Sequence, residues 1–183
     1  VINGGGGNNM WIYTSPSYGG ATLTVAYQND GGAAAVAESY SDFAIKMSPE
    51  AIEGLTVGYA SSDNQVGVSV DSNESTMYAT YATGGFTFGM QSSDLDHTTA
   101  NSDQDSIAYG ITYAVNDDLS IGYSYHELET ELTTDVDQES TGISASYTMG
   151  GMTLAGAMNE TDNMGGTATK DREGYEFTLS FAF

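Results

Sequence analysis

The sequence predicts an all-β chain: a transmembrane, antiparallel, up-and-down β-barrel with about eleven strands. Three observations carry that expectation. Large apolar residues alternate with small or polar ones in segment after segment, the connections alternate between short and long, and the acids gather around the long ones. The last ten residues show the alternation most plainly. Tyr175, Phe177, Leu179, Phe181 and Phe183 are interleaved with Glu176, Thr178, Ser180 and Ala182. Successive strand side chains point to opposite faces, so this strand has one greasy face and one wet face. A wall between lipid and a watery lumen needs that division.

Composition narrows the classes. The chain has 183 residues, with 25 acids against 3 bases and a net charge of −22. So few bases exclude nucleic acid as a partner and argue against docking on anionic lipid surfaces. Low apolar content with high charge is the signature of disorder. The 13 Tyr and the regular alternation contradict it. A barrel around a water-filled lumen has no packed core and needs only one apolar residue in two. Cysteine is absent, which removes disulfides and thiolate metal sites. No apolar run is long enough for a membrane helix, and Val1 to Gly4 do not read as a signal peptide.

The elements follow in order. The first strand is Met10–Ser15, broken by Pro16; its outer set is either Trp11/Tyr13 or Met10/Ile12. The second is Ala21–Gln28, with Leu23, Val25 and Tyr27 outward. The third is Tyr40–Met47, with Phe43, Ile45 and Met47 outward. The fourth is Leu55–Ala60. The fifth, Ser75–Thr83, is the least regular. The sixth is Phe86–Gln91, the seventh Ser106–Val115 and the eighth Leu119–His126. The ninth is Gly142–Met149, the tenth Met152–Asn159, and the terminal strand is the eleventh.

Short, turn-like connections fall at 15–20, 48–54, 84–85, 116–118 and 150–151. Long ones fall at 29–39, 61–74, 92–105, 127–141 and 160–173. The two kinds alternate without exception. The long loops and their flanks hold 19 of the 25 acids. These are Asp30, Glu38, Asp63, Asp71, Glu74, Asp94, Asp96, Asp103, Asp105, Glu127, Glu129, Glu131, Asp135, Asp137, Glu139, Glu160, Asp162, Asp171 and Glu173. One rim is therefore strongly anionic. Aromatics form two belts, with Tyr27, Tyr59, Tyr109, Tyr123, Tyr125 and Tyr175 near that rim. Tyr81, Phe86, Phe88, Tyr113, Tyr147 and Phe183 lie near the other.

The terminal strand ending in Phe183, the strand end Tyr13-Thr14-Ser15-Pro16 and the alternating connections together resemble the C-terminal part of a general diffusion porin of Gram-negative bacteria. The resemblance implies a place in the cell outer membrane, with outer-membrane lipid and lipopolysaccharide as surroundings. It further implies a homotrimer of 16-stranded barrels and passive diffusion of ions and small hydrophilic solutes. The terminal strand would be the signal read by the barrel-assembly machinery during biogenesis. Eleven strands would correspond to the sixth through sixteenth. Residues 1–183 are then one incomplete barrel domain, with residues 1–9 the tail of the inward-folded constriction loop.

Candidate chemistry is sparse. His97 and His126 have no Cys partner and no G-x-S-x-G occurs, so an enzyme is not expected. Asp94-x-Asp96, Asp103-x-Asp105 and Asp135-x-Asp137 place hard oxygen ligands on one side of extended loops, which suits Ca²⁺ or Mg²⁺; solvated acidic loops are the plainer reading. No other cofactor is expected. The expected lumen-facing residues are Asp42, Lys46, Gln91, His126, Asn159 and Glu176. Lys46 either sets a transverse field or pairs with Asp42. The acidic rim predicts mild cation selectivity. The alternatives are a secreted or surface acidic, calcium-binding β-sandwich of adhesin-like type, and a substrate-specific channel.

Overall fold

In a computed structural model, the structure describes residues 10–29, 38–66, 71–131 and 136–182. The expected constriction-loop tail, Asp30, Asp135 and Phe183 lie outside them. Eleven strands run β1 (Met10–Thr14), β2 (Ala21–Gln28), β3 (Glu38–Met47), β4 (Leu55–Val66), β5 (Asp71–Thr83) and β6 (Phe86–His97). They continue as β7 (Gln104–Ala114), β8 (Leu119–Thr130), β9 (Gln138–Met149), β10 (Met152–Asp162) and β11 (Arg172–Phe181). They form one sheet in sequence order, every neighbouring pair antiparallel. Among the described residues β1 and β11 are its two edges. A sandwich requires two packed sheets. The described residues make one, which removes that alternative.

Directly opposed residues of an antiparallel pair share a face, so the register fixes both faces. Trp11 and Tyr13 oppose Tyr27 and Val25, which settles the first strand: they face outward, and Met10 and Ile12 face inward. From there the outer set runs unbroken. Val25 meets Phe43, Ile45 meets Tyr59, Tyr59 meets Met77, and Tyr81 meets Phe88. Phe88 meets Ile111, Ile111 meets Tyr123, Tyr123 meets Ile143, Ile143 meets Met158, and Met158 meets Tyr175. Aromatic contacts recur on this face at both levels. Tyr109 and Tyr125 stack at 4.8 Å near one rim, and Phe86 and Tyr113 at 4.3 Å near the other.

The strands reach further than hydrophobic alternation indicates. β4 continues through Ser61 to Val66, β5 begins at Asp71, β6 runs on to His97, β8 to Thr130, and β9 begins at Gln138. The acidic flanks are mostly ladder and not loop. Alternation reports which residues meet lipid. Past the lipid both faces are polar, while the backbone still pairs strand to strand. Measured between strand ends, connection length no longer alternates strictly: the stretch 48–54 is longer than the gap from Val66 to Asp71. What alternates is how far the strands extend beyond the apolar band.

Backbone contacts make the short turns tight. Gly54 has φ +83°, and its carbonyl accepts from Ala82 N–H at 3.0 Å. Between β7 and β8, Asn116 Oδ1 accepts from the amides of Asp118 and Leu119, both at 2.9 Å.

Candidate pore wall and charged rim

The inner face is built of small residues. One cross-strand row runs Thr80, Gly89, Gly110, Ser124, Gly142, Asn159 and Gly174. The next runs Thr87, Thr112, Gly122, Ser144, Ala157 and Glu176. Side chains this short leave the lumen side open. Gly110 also sits at a close approach: a Cβ there would lie 3.0 Å from the Tyr123 carbonyl oxygen, so any larger residue needs the neighbouring strand to give.

All six residues expected on the lumen side have inward parity. Asp42 lies opposite Ser62, Asn159 opposite Gly142 and Gly174, and Glu176 opposite Ala157. Lys46, Gln91 and His126 fall on one row: Lys46, Gly58, Tyr78, Gln91, Ala108, His126, Ser140, Thr161, Arg172. Tyr78 has the inward parity that the alternation of its strand predicts, though it is not among the six. Arg172 escaped the sequence reading because it sits in the stretch read as loop. Gln91 Nε2 donates to Ser93 Oγ at 3.0 Å, and Ser93 shares a 2.8 Å hydrogen bond with Thr76. Among the described residues Lys46 forms no ion pair with Asp42.

The acidic rim points the other way. Asp63, Asp71, Asp94, Asp96, Asp105, Glu127, Glu129, Glu139, Glu160, Asp162 and Glu173 carry the outward parity of the apolar face below them. Among the described rim carboxylates on strands whose side chains are defined, Glu74 alone faces inward. Like charges stand directly opposed: Asp94 faces Asp105, Asp105 faces Glu129, Glu127 faces Glu139, and Glu160 faces Glu173. Tyr125 relieves one of them by donating its hydroxyl to Glu127 Oε2 at 2.7 Å.

The paired aspartates therefore differ from their expected setting. Asp94 and Asp96 lie on β6 and Asp105 on β7, not on loops. Asp103 Oδ1 accepts from the His97 amide at 2.7 Å, and His97 Nδ1 accepts from the Thr99 amide at 3.0 Å, so both organise the 98–103 turn. Asp137 offers its backbone carbonyl to Asn163 Nδ2 at 3.1 Å. Among the described residues no three His, Asp or Glu side chains converge as a metal site.

A hydrogen bond to Asp105, burial, and the charges of Asp96, Asp105 and Asp103 hold the Asp94 carboxyl above its ordinary range. A group raised in the folded state contributes stability below its unfolded pKa. That contribution is lost as pH rises through the folded pKa. Asp94→Asn is therefore expected to raise stability at pH 7 by about 0.5 kcal/mol, the scale of one opposed pair. The gain should vanish near about pH 3, where the carboxyl is protonated anyway. Unfolding midpoints at the two pH values check this.

A sheet with a continuous apolar outer face and a small, polar inner face is the wall of a membrane-spanning β-barrel. The profile of the Gram-negative porin family matches residues 1–163. The chain belongs to that family, and its place is the outer membrane of a Gram-negative bacterium. A search of curated proteins returns no significant match. Among solved structures, the chain is similar to an anion-selective porin from Comamonas acidovorans (TM-score 0.79, 16% identity), over 96% of this chain and 60% of that one. It is similar to the outer-membrane protein OmpT of Vibrio cholerae (TM-score 0.68, 14% identity), over 94% of this chain and 63% of that one. It is also similar to the NanC porin (TM-score 0.56, 12% identity), over 95% and 98%. The chain thus spans less than two thirds of the first two structures.

Proposed function

We propose that the protein forms a water-filled channel for passive diffusion of ions and small hydrophilic solutes across the outer membrane. The observation that carries this is the two-sided sheet: an apolar outer face unbroken from β1 to β11, over an inner face of Gly, Ser, Thr and Ala. Among the described residues, that inner face shows no catalytic constellation, and the reading needs no cofactor. The described sheet is read as one barrel domain. Its outer face would meet outer-membrane lipid and lipopolysaccharide, and its assembly would use the barrel-assembly machinery. A homotrimer is part of the same reading; one of the similar Vibrio cholerae structures is a trimer form.

Mild cation selectivity is the finer proposal. The net charge is −22. The described inner face sets Asp42, Glu74 and Glu176 against Lys46 and Arg172. Most of the rim charge faces outward and acts on the entrance only at long range, so the preference should be modest and fall with ionic strength. The similarity to an anion-selective porin, at 16% identity, bears on fold alone. Planar-bilayer recording tests both parts. Stepwise ohmic conductance is expected, with a reversal potential favouring cations in a salt gradient. Absence of conductance overturns the channel, and anion preference overturns the selectivity.

A further inference from the structure

A concavity of about 540 Å³ lies on the inner wall between β5 and β9. Its floor is Gly89, Gly110 and Gly122 with Ser124, and its sides are Tyr78, Gln91 and His126. The Tyr78 ring lies over Gly58 of β4, where an added Cβ would collide with it, so its hydroxyl end is turned from the glycine floor and its body borders the concavity. None of the lining residues is Asp, Glu, Lys or Arg, in a chain with 25 acids. A charged solute therefore finds no counter-charge here. What it offers is an amide, an imidazole and several hydroxyls, with the Tyr78 ring at its β5 edge. That set suits a ring compound with polar edges and apolar C–H faces. The concavity is open on its lumen side, so it would hold a solute against one wall only.

We infer that this patch is a weak binding site for a neutral sugar of one or two rings, a station along the diffusion path. The inference rests on the channel reading above and names a solute class for it.

The experiment is single-channel recording of the full chain in planar bilayers, with maltose or a polyethylene glycol of similar size added. Maltose is expected to lower the current saturably and add current noise. The glycol should lower it only in step with bulk conductivity. Gln91→Ala should raise the half-saturating maltose concentration about fivefold, the net value of one hydrogen bond. Gly89→Val should abolish saturation by filling the floor. Gly89 suits this because an added Cβ meets only Thr80 Cγ2, at 3.9 Å, and Val favours strands. Gln104→Ala, beyond the concavity, should change nothing. No conductance at all would sink the channel reading itself. Conductance with indistinguishable maltose and glycol traces overturns the sugar site alone. Saturable maltose block untouched by both site variants overturns its placement.

Discussion

Ile111→Arg should destabilise the folded barrel by about 3 kcal/mol, the scale for a cationic side chain at the lipid midplane. Ile111 lies between Tyr109 and Tyr113 on the outer face of β7, opposed by Phe88 and Tyr123. An arginine there has no water to reach and no carboxylate opposite. Thr112→Arg, one residue on, turns to the open inner face and should cost under about 1 kcal/mol. Urea unfolding in lipid vesicles measures both. The single Trp, Trp11, reports it from the outer face, where it is 60% exposed in the isolated chain. Equal costs for the two variants would refute the assignment of faces.

The turn between β3 and β4 supplies the second large effect. Gly54→Ala forces a side chain onto a backbone at φ +83°, with the new Cβ overlapping the Ala82 carbonyl oxygen. The Gly54 carbonyl also accepts from the Ala82 amide, so the turn cannot swing away without breaking that bond. A cost of about 2–3 kcal/mol is expected. Gly84→Ala isolates the backbone part: φ is +54° and nothing lies within 4 Å of the added Cβ. It should cost about 1 kcal/mol. If the two variants unfold at the same denaturant concentration, the collision at Ala82 is not real.

Strand identity and facing were legible because lipid and water impose a period of two, and Ile107, Tyr109, Ile111 and Tyr113 obey it without a break. Trp11/Tyr13 against Met10/Ile12 could not be decided from one strand, since both pairs are apolar; the opposed Val25 and Tyr27 decide it. Strand ends were misplaced wherever the wall leaves the lipid, because Asp94, Asp96, Glu127 and Glu129 look like loop to a hydrophobicity reading. Their parity was available all the same: Asp94 continues Met90, and Glu127 continues Tyr125, on the same face. The concavity was hidden for another reason. Gly89, Gly110 and Gly122 are spread over three strands, and only the register gathers them.

Among the described residues the buried apolar set is no more than Ala26 and Tyr40. The heat capacity of unfolding in globular proteins comes from wetting a dry interior. Here the apolar side chains already face a hydrocarbon solvent. Unfolding within a bilayer should then show a small heat-capacity increment for a chain of this length, and stability that changes little in curvature with temperature. Trimming an outer-face side chain such as Leu154, 49% exposed, to Ala should leave no void either, because acyl chains flow into the space. Calorimetrically, this protein would behave as a hydrogen-bonded fabric whose filling is supplied by the membrane.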